Sequence, residues 1–135
     1  MGGRSKQGLH LQLTGSSYNR PAVYTSFILV PLILIDNAIK YATPRSEVNI
    51  RVQDIGDDGV RVSIESFGKV VIPSERQRIF SKRYRGTNAG DAPGSGFGLW
   101  IAQTIAHIHE TEINYTASTA MGEGWNTFTI DVRSP

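Results

Sequence analysis

The 135-residue sequence predicts an α+β domain. Three observations carry this: short segments with alternating apolar residues, two segments with helical apolar spacing, and two turn signals that fold adjacent strands back on one another. The predicted order is strand, helix, hairpin, loop, helix, hairpin. No stretch repeats at the roughly 20–50-residue period of solenoids and propellers, and none is low in complexity.

Residues 9–14 (Leu-His-Leu-Gln-Leu-Thr) alternate with period two, and Gly15-Ser16-Ser17 is expected to end this first strand. A helix is expected from Ser26 as N-cap through Phe27, Val30, Leu34, Ala38 and Tyr41, with Pro44 as its stop. Pro31 falls in the early turns, where proline is tolerated. Residues 47–53 and 60–64 both alternate, and Gly56-Asp57-Asp58-Gly59 between them signals a hairpin. Residues 66–95 read as a long loop, rich in glycine and cations, with one short helix near Ser74 to Phe80. Helical spacing returns from Phe97 to His109, and strands are expected at about 112–118 and 125–133 around Met121-Gly122-Glu123-Gly124.

Composition narrows the function. With 39% hydrophobic and 19% charged residues the chain has the balance of a folded globule. Its 14 Lys+Arg against 12 Asp+Glu leave a net charge of only +2, too little to argue for a nucleic-acid partner without a clustered patch. The absence of cysteine excludes a disulfide framework and any thiolate metal or redox site. The apolar run from Ser26 to Ile35 is about half the roughly 20 residues that span a bilayer, so it reads as a buried helix and no membrane contact is expected; the lack of cysteine allows a reducing compartment, and a cytoplasmic location is expected. Residues 1–7 are set apart as a disordered or expression-derived N-terminus.

Three constellations bear on chemistry. Gly94-Ser95-Gly96-Phe97-Gly98-Leu99 opens the second helix, where free N–H groups attract anions; a flexible connector is the alternative reading. A dinucleotide fingerprint is excluded, because no strand precedes this run directly. Asn37 and Lys40 lie three apart on the first helix and share a face, an amide oxygen suited to Mg²⁺ beside an ammonium suited to phosphate. A solvated polar helix end would look the same. Arg76, Arg78, Lys82, Arg83 and Arg85 place five cations in ten residues, beside Phe80 and Tyr84. So short a patch suits a small anionic ligand or an acidic partner better than a polymer track. His107 and His109 are two apart on a helix and are expected to be structural, as is His10; Trp100 and Trp125 read as core or partner surface.

Together these motifs resemble a family. Ile35-Asp36-Asn37-Ala38-Ile39-Lys40-Tyr41, Ile79-Phe80-Ser81-Lys82-Arg83-Tyr84-Arg85-Gly86, Gly94-Ser95-Gly96-Phe97-Gly98-Leu99-Trp100-Ile101 and Gly122-Glu123-Gly124 before Thr127-Phe128-Thr129 look like the N-box, F-box and later glycine boxes of the ATP-binding domain of sensor histidine kinases. The broader group includes the ATPase domains of DNA gyrase, the heat-shock-90 chaperones and MutL. The likeness covers about residues 9–133, and the domain it implies is 8–135. It implies the Bergerat fold, a two-layer α/β sandwich with a mixed, mainly antiparallel sheet and helices on one face.

For the site, the resemblance implies ATP and Mg²⁺ as ligands. Asn37 would ligate the metal, Lys40 would meet phosphate, and Tyr41 would line the pocket. Asp36 would polarise the attack on the γ-phosphate and Arg85 would approach it from a lid. Gly94, Gly96, Gly98 and Leu99 would lie along the phosphates, and Ser66, Gly68 and Thr127 would belong to the base end. The implied partners are a histidine-bearing dimerisation domain and a response regulator. Without that histidine, the chain would be a catalytic fragment unable to autophosphorylate.

Departures from the family pattern concentrate in one box. Where the family has D-x-G-x-G, its Asp accepting from the adenine amino group, this sequence has Ser66-Phe67-Gly68-Lys69-Val70. Glu65 could replace the acid only if the strand slipped by one residue. Val70 stands where a glycine could supply positive φ, so this loop is expected to take another path. Ile33 occupies the place of the first N-box Asn, and Arg83 displaces the second F-box aromatic. A degenerate, non-catalytic domain acting through protein contacts or altered nucleotide binding is therefore the alternative.

Overall fold

A computed structural model describes residues 8–82 and 96–134. The sheet has five strands, β1 (His10–Ser16), β2 (Glu47–Ile55), β3 (Gly59–Lys69), β4 (Ile113–Ala117) and β5 (Glu123–Val132), in the order β1-β2-β3-β5-β4. β1 runs parallel to β2 and every other pairing is antiparallel, so the sheet is mixed and mainly antiparallel. Helices α1 (Leu29–Tyr41) and α2 (Gly98–Ile108) form the second layer.

The pleat decides what each face is for. Val48, Ile64, Phe128, Ile130 and Ile113 point toward the helices and bury against Val30, Leu34 and Ala38 of α1 and Ala102, Ile105 and Ala106 of α2. The alternate residues make an open polar face. There Arg61 holds Asp131 through two hydrogen bonds of 2.7 and 2.9 Å, and Phe67 meets Trp125 edge-to-face. The pairing keeps the Asp131 carboxyl below its ordinary range, chiefly because the guanidinium donates to it.

Several boundaries differ from the sequence reading for local reasons. β1 continues through Gly15 to Ser16, because Gly15 adopts φ +91 and a Cβ there would stand 2.1 Å from the Val52 carbonyl oxygen. Ser26 is not the cap of α1: it lies inside a 3-10 turn, Thr25–Ile28, and no side chain caps the helix. α1 ends at Tyr41, three residues before Pro44, because Ala42 turns extended and bridges to Gly68. Residues 66–69 are the end of β3, not loop, and the short helix is a 3-10 turn at Pro73–Arg78.

Val70 extends the sheet. It takes no positive φ; its N–H continues the ladder to the Gly122 carbonyl at 2.9 Å, and its side chain is fully buried. His109 is structural, as expected. Its Nε2 accepts from the Tyr24 N–H at 3.0 Å while Nδ1 lies 2.9 Å from the Ile105 carbonyl oxygen, and its ring packs edge-on against Tyr24 and Phe27.

One carboxylate ties the β1 exit to the sheet. Asp54 on β2 accepts from the backbone N–H of Tyr18 and Asn19 and from the Ser17 hydroxyl, at 2.8 to 3.1 Å. These donors hold its pKa below the ordinary 3.8, the Tyr18 N–H contributing most. A depressed carboxylate stabilises the fold above its unfolded pKa and loses that contribution as pH falls through the folded value. The stability difference between the native chain and Asp54→Asn, measured by thermal melts, is expected to be full at neutral pH and to close below pH 3.8.

Candidate functional site

The site is organised around the middle of α1. Ile33, Asn37 and Tyr41 recur every fourth residue and so lie along one side of the helix. At the Ile33 end α1 meets the start of α2: a Cβ on Gly98 would be 3.5 Å from Ile33 Cγ2. At the Tyr41 end it meets β3, where the Thr43 N–H donates to the Phe67 carbonyl at 2.8 Å and Ala42 bridges to Gly68. The N-box helix, the helix that follows the glycine run and the departing D-x-G-x-G segment are thus brought together by packing.

Asn37 lies between these contacts, partly buried and without a hydrogen bond among the described residues. Asp36 is exposed and Lys40, like Asn37, is partly buried; the two form an i,i+4 ion pair at 3.0 Å. An i,i+4 pair on a helix surface is worth a few tenths of a kcal/mol, about 0.3–0.5, so either group can be recruited by a ligand at little cost. Gly96 has φ +82 at the entry to α2, and among the described residues no side chain caps that helix. Leu99 is partly buried against the core, so its backbone, not its side chain, is the part placed for a ligand.

The strand register sorts the base-end residues. Ser66 pairs with Val48 on one side and Asn126 on the other, all on the helix-facing side. Glu65 pairs with Asn49 and Thr127 on the opposite face and accepts from Asn49 Nδ2 at 3.2 Å, so the strand has not slipped. Thr127 is accordingly turned away from Ser66, and Asn126 is the β5 residue that adjoins it. Alternation along β5 could have shown this, since Phe128 marks the core-facing parity.

Asn126 belongs to a network that sequence reasoning missed. The Tyr115 hydroxyl donates to Asn126 Oδ1 and accepts from the Val71 N–H at 3.0 Å, while Asn126 Nδ2 reaches the Lys69 carbonyl at 3.3 Å. Burial pushes the Tyr115 hydroxyl pKa up, as expected for a neutral donor. Arg76 completes the network, donating to the Val71 and Thr119 carbonyls at 2.8 and 2.9 Å with its guanidinium over the Tyr115 ring. Arg76 therefore holds the segment after β3 and does not stand with a ligand-facing cation cluster. Lys82 lies over Trp100, 5.0 Å from the ring centroid.

Gly68 serves packing. A Cβ there would stand 2.5 Å from the Tyr41 carbonyl oxygen, which is backbone and cannot rotate aside. The expected positions Arg85 and Gly94 lie outside the described residues. Two clefts of about 760 and 630 Å³ lie elsewhere, one on the open face beside Arg61 and Asp131, the other between α2 and the Pro73–Arg78 turn. Neither includes Asn37, Lys40, Tyr41 or Ser66. Among the described residues no group of three or more His, Cys, Asp or Glu could hold a metal, and no helix is long and apolar enough to cross a membrane.

Residues 25–135 match the family described as histidine kinase-, DNA gyrase B- and HSP90-like ATPase. The chain belongs to that family. Within it, this ATPase-family chain is 35% identical over 78 residues to the signal transduction histidine-protein kinase/phosphatase MprB of Mycobacterium ulcerans, covering 58% of the chain and 15% of the relative. It is 30% identical over 92 residues to the histidine protein kinase SaeS of Staphylococcus aureus, covering 66% of the chain and 26% of the relative. It therefore spans about a quarter or less of these curated relatives. A solved structure of a mycobacterial sensor histidine kinase MprB superposes with TM-score 0.80 over 96% of this chain and 88% of the other, at 21% identity. The two-layer architecture is thus that of a histidine-kinase ATPase domain.

Proposed function

We propose that this chain is the ATP-binding catalytic domain of a two-component sensor histidine kinase, donating the γ-phosphoryl group of Mg-ATP to a histidine on a separate dimerisation domain. A response regulator would be the next acceptor. The observation that carries this reading is the convergence on α1: Asn37 stands partly buried between the start of α2 and the end of β3, with no side-chain hydrogen bond among the described residues. That donor set suits the ligand. It offers a neutral amide oxygen for a hard cation, N–H groups for phosphate oxygens, and a hydroxyl, Ser66, at the sheet.

Bound Mg-ATP supplies the phosphoryl group, and catalysis in this chemistry is mostly positioning and charge stabilisation. In this reading Asn37 would hold Mg²⁺, and Lys40 would exchange Asp36 for phosphate. Asp36, once released, orients the incoming imidazole, and Arg85 adds positive charge where charge builds up. Gly96 and Gly98, with Gly94 before them in the sequence, would allow close approach of phosphates, and the Leu99 N–H would be among the donors. Tyr41 borders the nucleotide, and Gly68 keeps the α1 end against β3. At the base end Ser66 and Asn126 occupy the helix-facing positions, the Thr127 side chain being directed to the other face.

Isothermal titration of the 135-residue chain with Mg-ATP tests this directly. Saturable one-to-one binding in the micromolar range is expected, weakened when EDTA removes the metal. No heat of binding up to millimolar ATP would overturn the proposal in favour of a domain that acts through protein contacts.

A further inference from the structure

The base end of the site has been rebuilt around one uncommitted hydroxyl. Ser66 is 6% exposed and lies on the helix-facing side of β3, two residues before the glycine that docks the end of α1. Its neighbours are spent. Asn126 uses Oδ1 on the Tyr115 hydroxyl and Nδ2 on the Lys69 and Gly68 carbonyls at 3.3 and 3.5 Å. Glu65 is on the other face, bound to Asn49. Among the described residues every fully buried side-chain polar atom has a partner, whereas the Ser66 hydroxyl makes no hydrogen bond. Its oxygen is therefore not completely enclosed, the condition for meeting a ligand.

Hydroxyl and carboxylate differ in what they can recognise. An ionised carboxylate only accepts hydrogen bonds, so it welcomes a 6-amino purine and opposes a 6-oxo purine, whose O6 is an acceptor. A serine hydroxyl both donates and accepts, and it rotates to suit. It can accept from the adenine amino group or donate to an oxo group in the same place.

We propose that Ser66 makes this nucleotide site tolerant at the purine 6-position, so that it takes 6-amino and 6-oxo purine triphosphates with similar affinity. The inference rests on the ATP-site reading above and names its substrate class. Specificity here is a difference of affinities, and the repulsive element against the 6-oxo group is missing.

The test is calorimetric titration of the chain with Mg-ATP and Mg-ITP, whose bases both lack the guanine 2-amino group and so differ only along the edge formed by the 6-substituent and N1. The two affinities are expected to agree within about tenfold, since one neutral hydrogen bond replaces another. Ser66→Asp is expected to tighten ATP and weaken ITP, widening the ratio by about 10- to 100-fold. Ser66→Ala, which keeps the volume small and the fold unburdened, is expected to weaken both nucleotides together by a few-fold. A preference of the native chain for ATP beyond about tenfold, or Ser66→Ala binding both nucleotides as the native chain does, would overturn the inference and leave the ATP-site reading standing. Failure of the native chain to bind either nucleotide would overturn both.

Discussion

Gly68→Ala is expected to cost about 2–3 kcal/mol and to lower the thermal midpoint by roughly 6–15 °C. The added methyl would sit 2.5 Å from the Tyr41 carbonyl oxygen, 3.3 Å from the Thr43 nitrogen and 3.4 Å from the Ala42 Cα. All three are backbone atoms, so relief requires moving the end of α1 away from β3. That shift would break the Ala42 bridge and the 2.8 Å bond from the Thr43 N–H to the Phe67 carbonyl. Because the same contact sets Ser66 opposite the last turns of α1, ATP affinity should fall with stability. Gly98→Ala supplies the contrast. Its Cβ would meet Ile33 Cγ2 at 3.5 Å, an ordinary contact, and alanine is the better helix former by about 0.8–1.0 kcal/mol. Its melting point, followed by circular dichroism, should hold or rise. Equal losses in the two variants would mean that the close approach at Gly68 is not what holds α1 to the sheet.

Asn37→Ala should separate binding from folding. The side chain makes no hydrogen bond among the described residues, and alanine raises helix propensity, so stability should change little. Removing an amide oxygen from a divalent cation removes an interaction with a charged partner, about 1.5–3 kcal/mol, or roughly 10- to 100-fold in Mg-ATP affinity. The loss should appear in titrations with Mg²⁺ and vanish in EDTA, where the native chain and the variant should bind ATP alike. A variant that melts early yet binds Mg-ATP normally would assign Asn37 a packing role and remove it from the site.

Much of the site was legible because its signals are local. Helical spacing put Asn37 and Lys40 on α1, and the glycine run announced the start of α2 around Gly96 and Gly98. Ile33, which looks like a lost polar residue in the N-box, is explained by its neighbour: the isoleucine packs where Gly98 carries no side chain. Arg76 shows the opposite case. In the sequence it is one of five clustered cations, yet its guanidinium is committed to the Val71 and Thr119 carbonyls, the latter 43 residues away. No spacing rule reveals a partner at that distance.

The sequence by itself determined the kinds and order of the elements and the family, because periodicity, turn chemistry and motif spacing act over a few residues. Only the tertiary structure decided which β5 residue stands beside Ser66. Register between β3 and β5 pairs Ser66 with Asn126 and sends Glu65 and Thr127 to the other side. Successive strand residues alternate faces, so a choice of one residue in register exchanges the whole set. That choice is made by burial of Ile64, Phe128 and Ile130 beneath the helices, a sum over the core that no single segment contains.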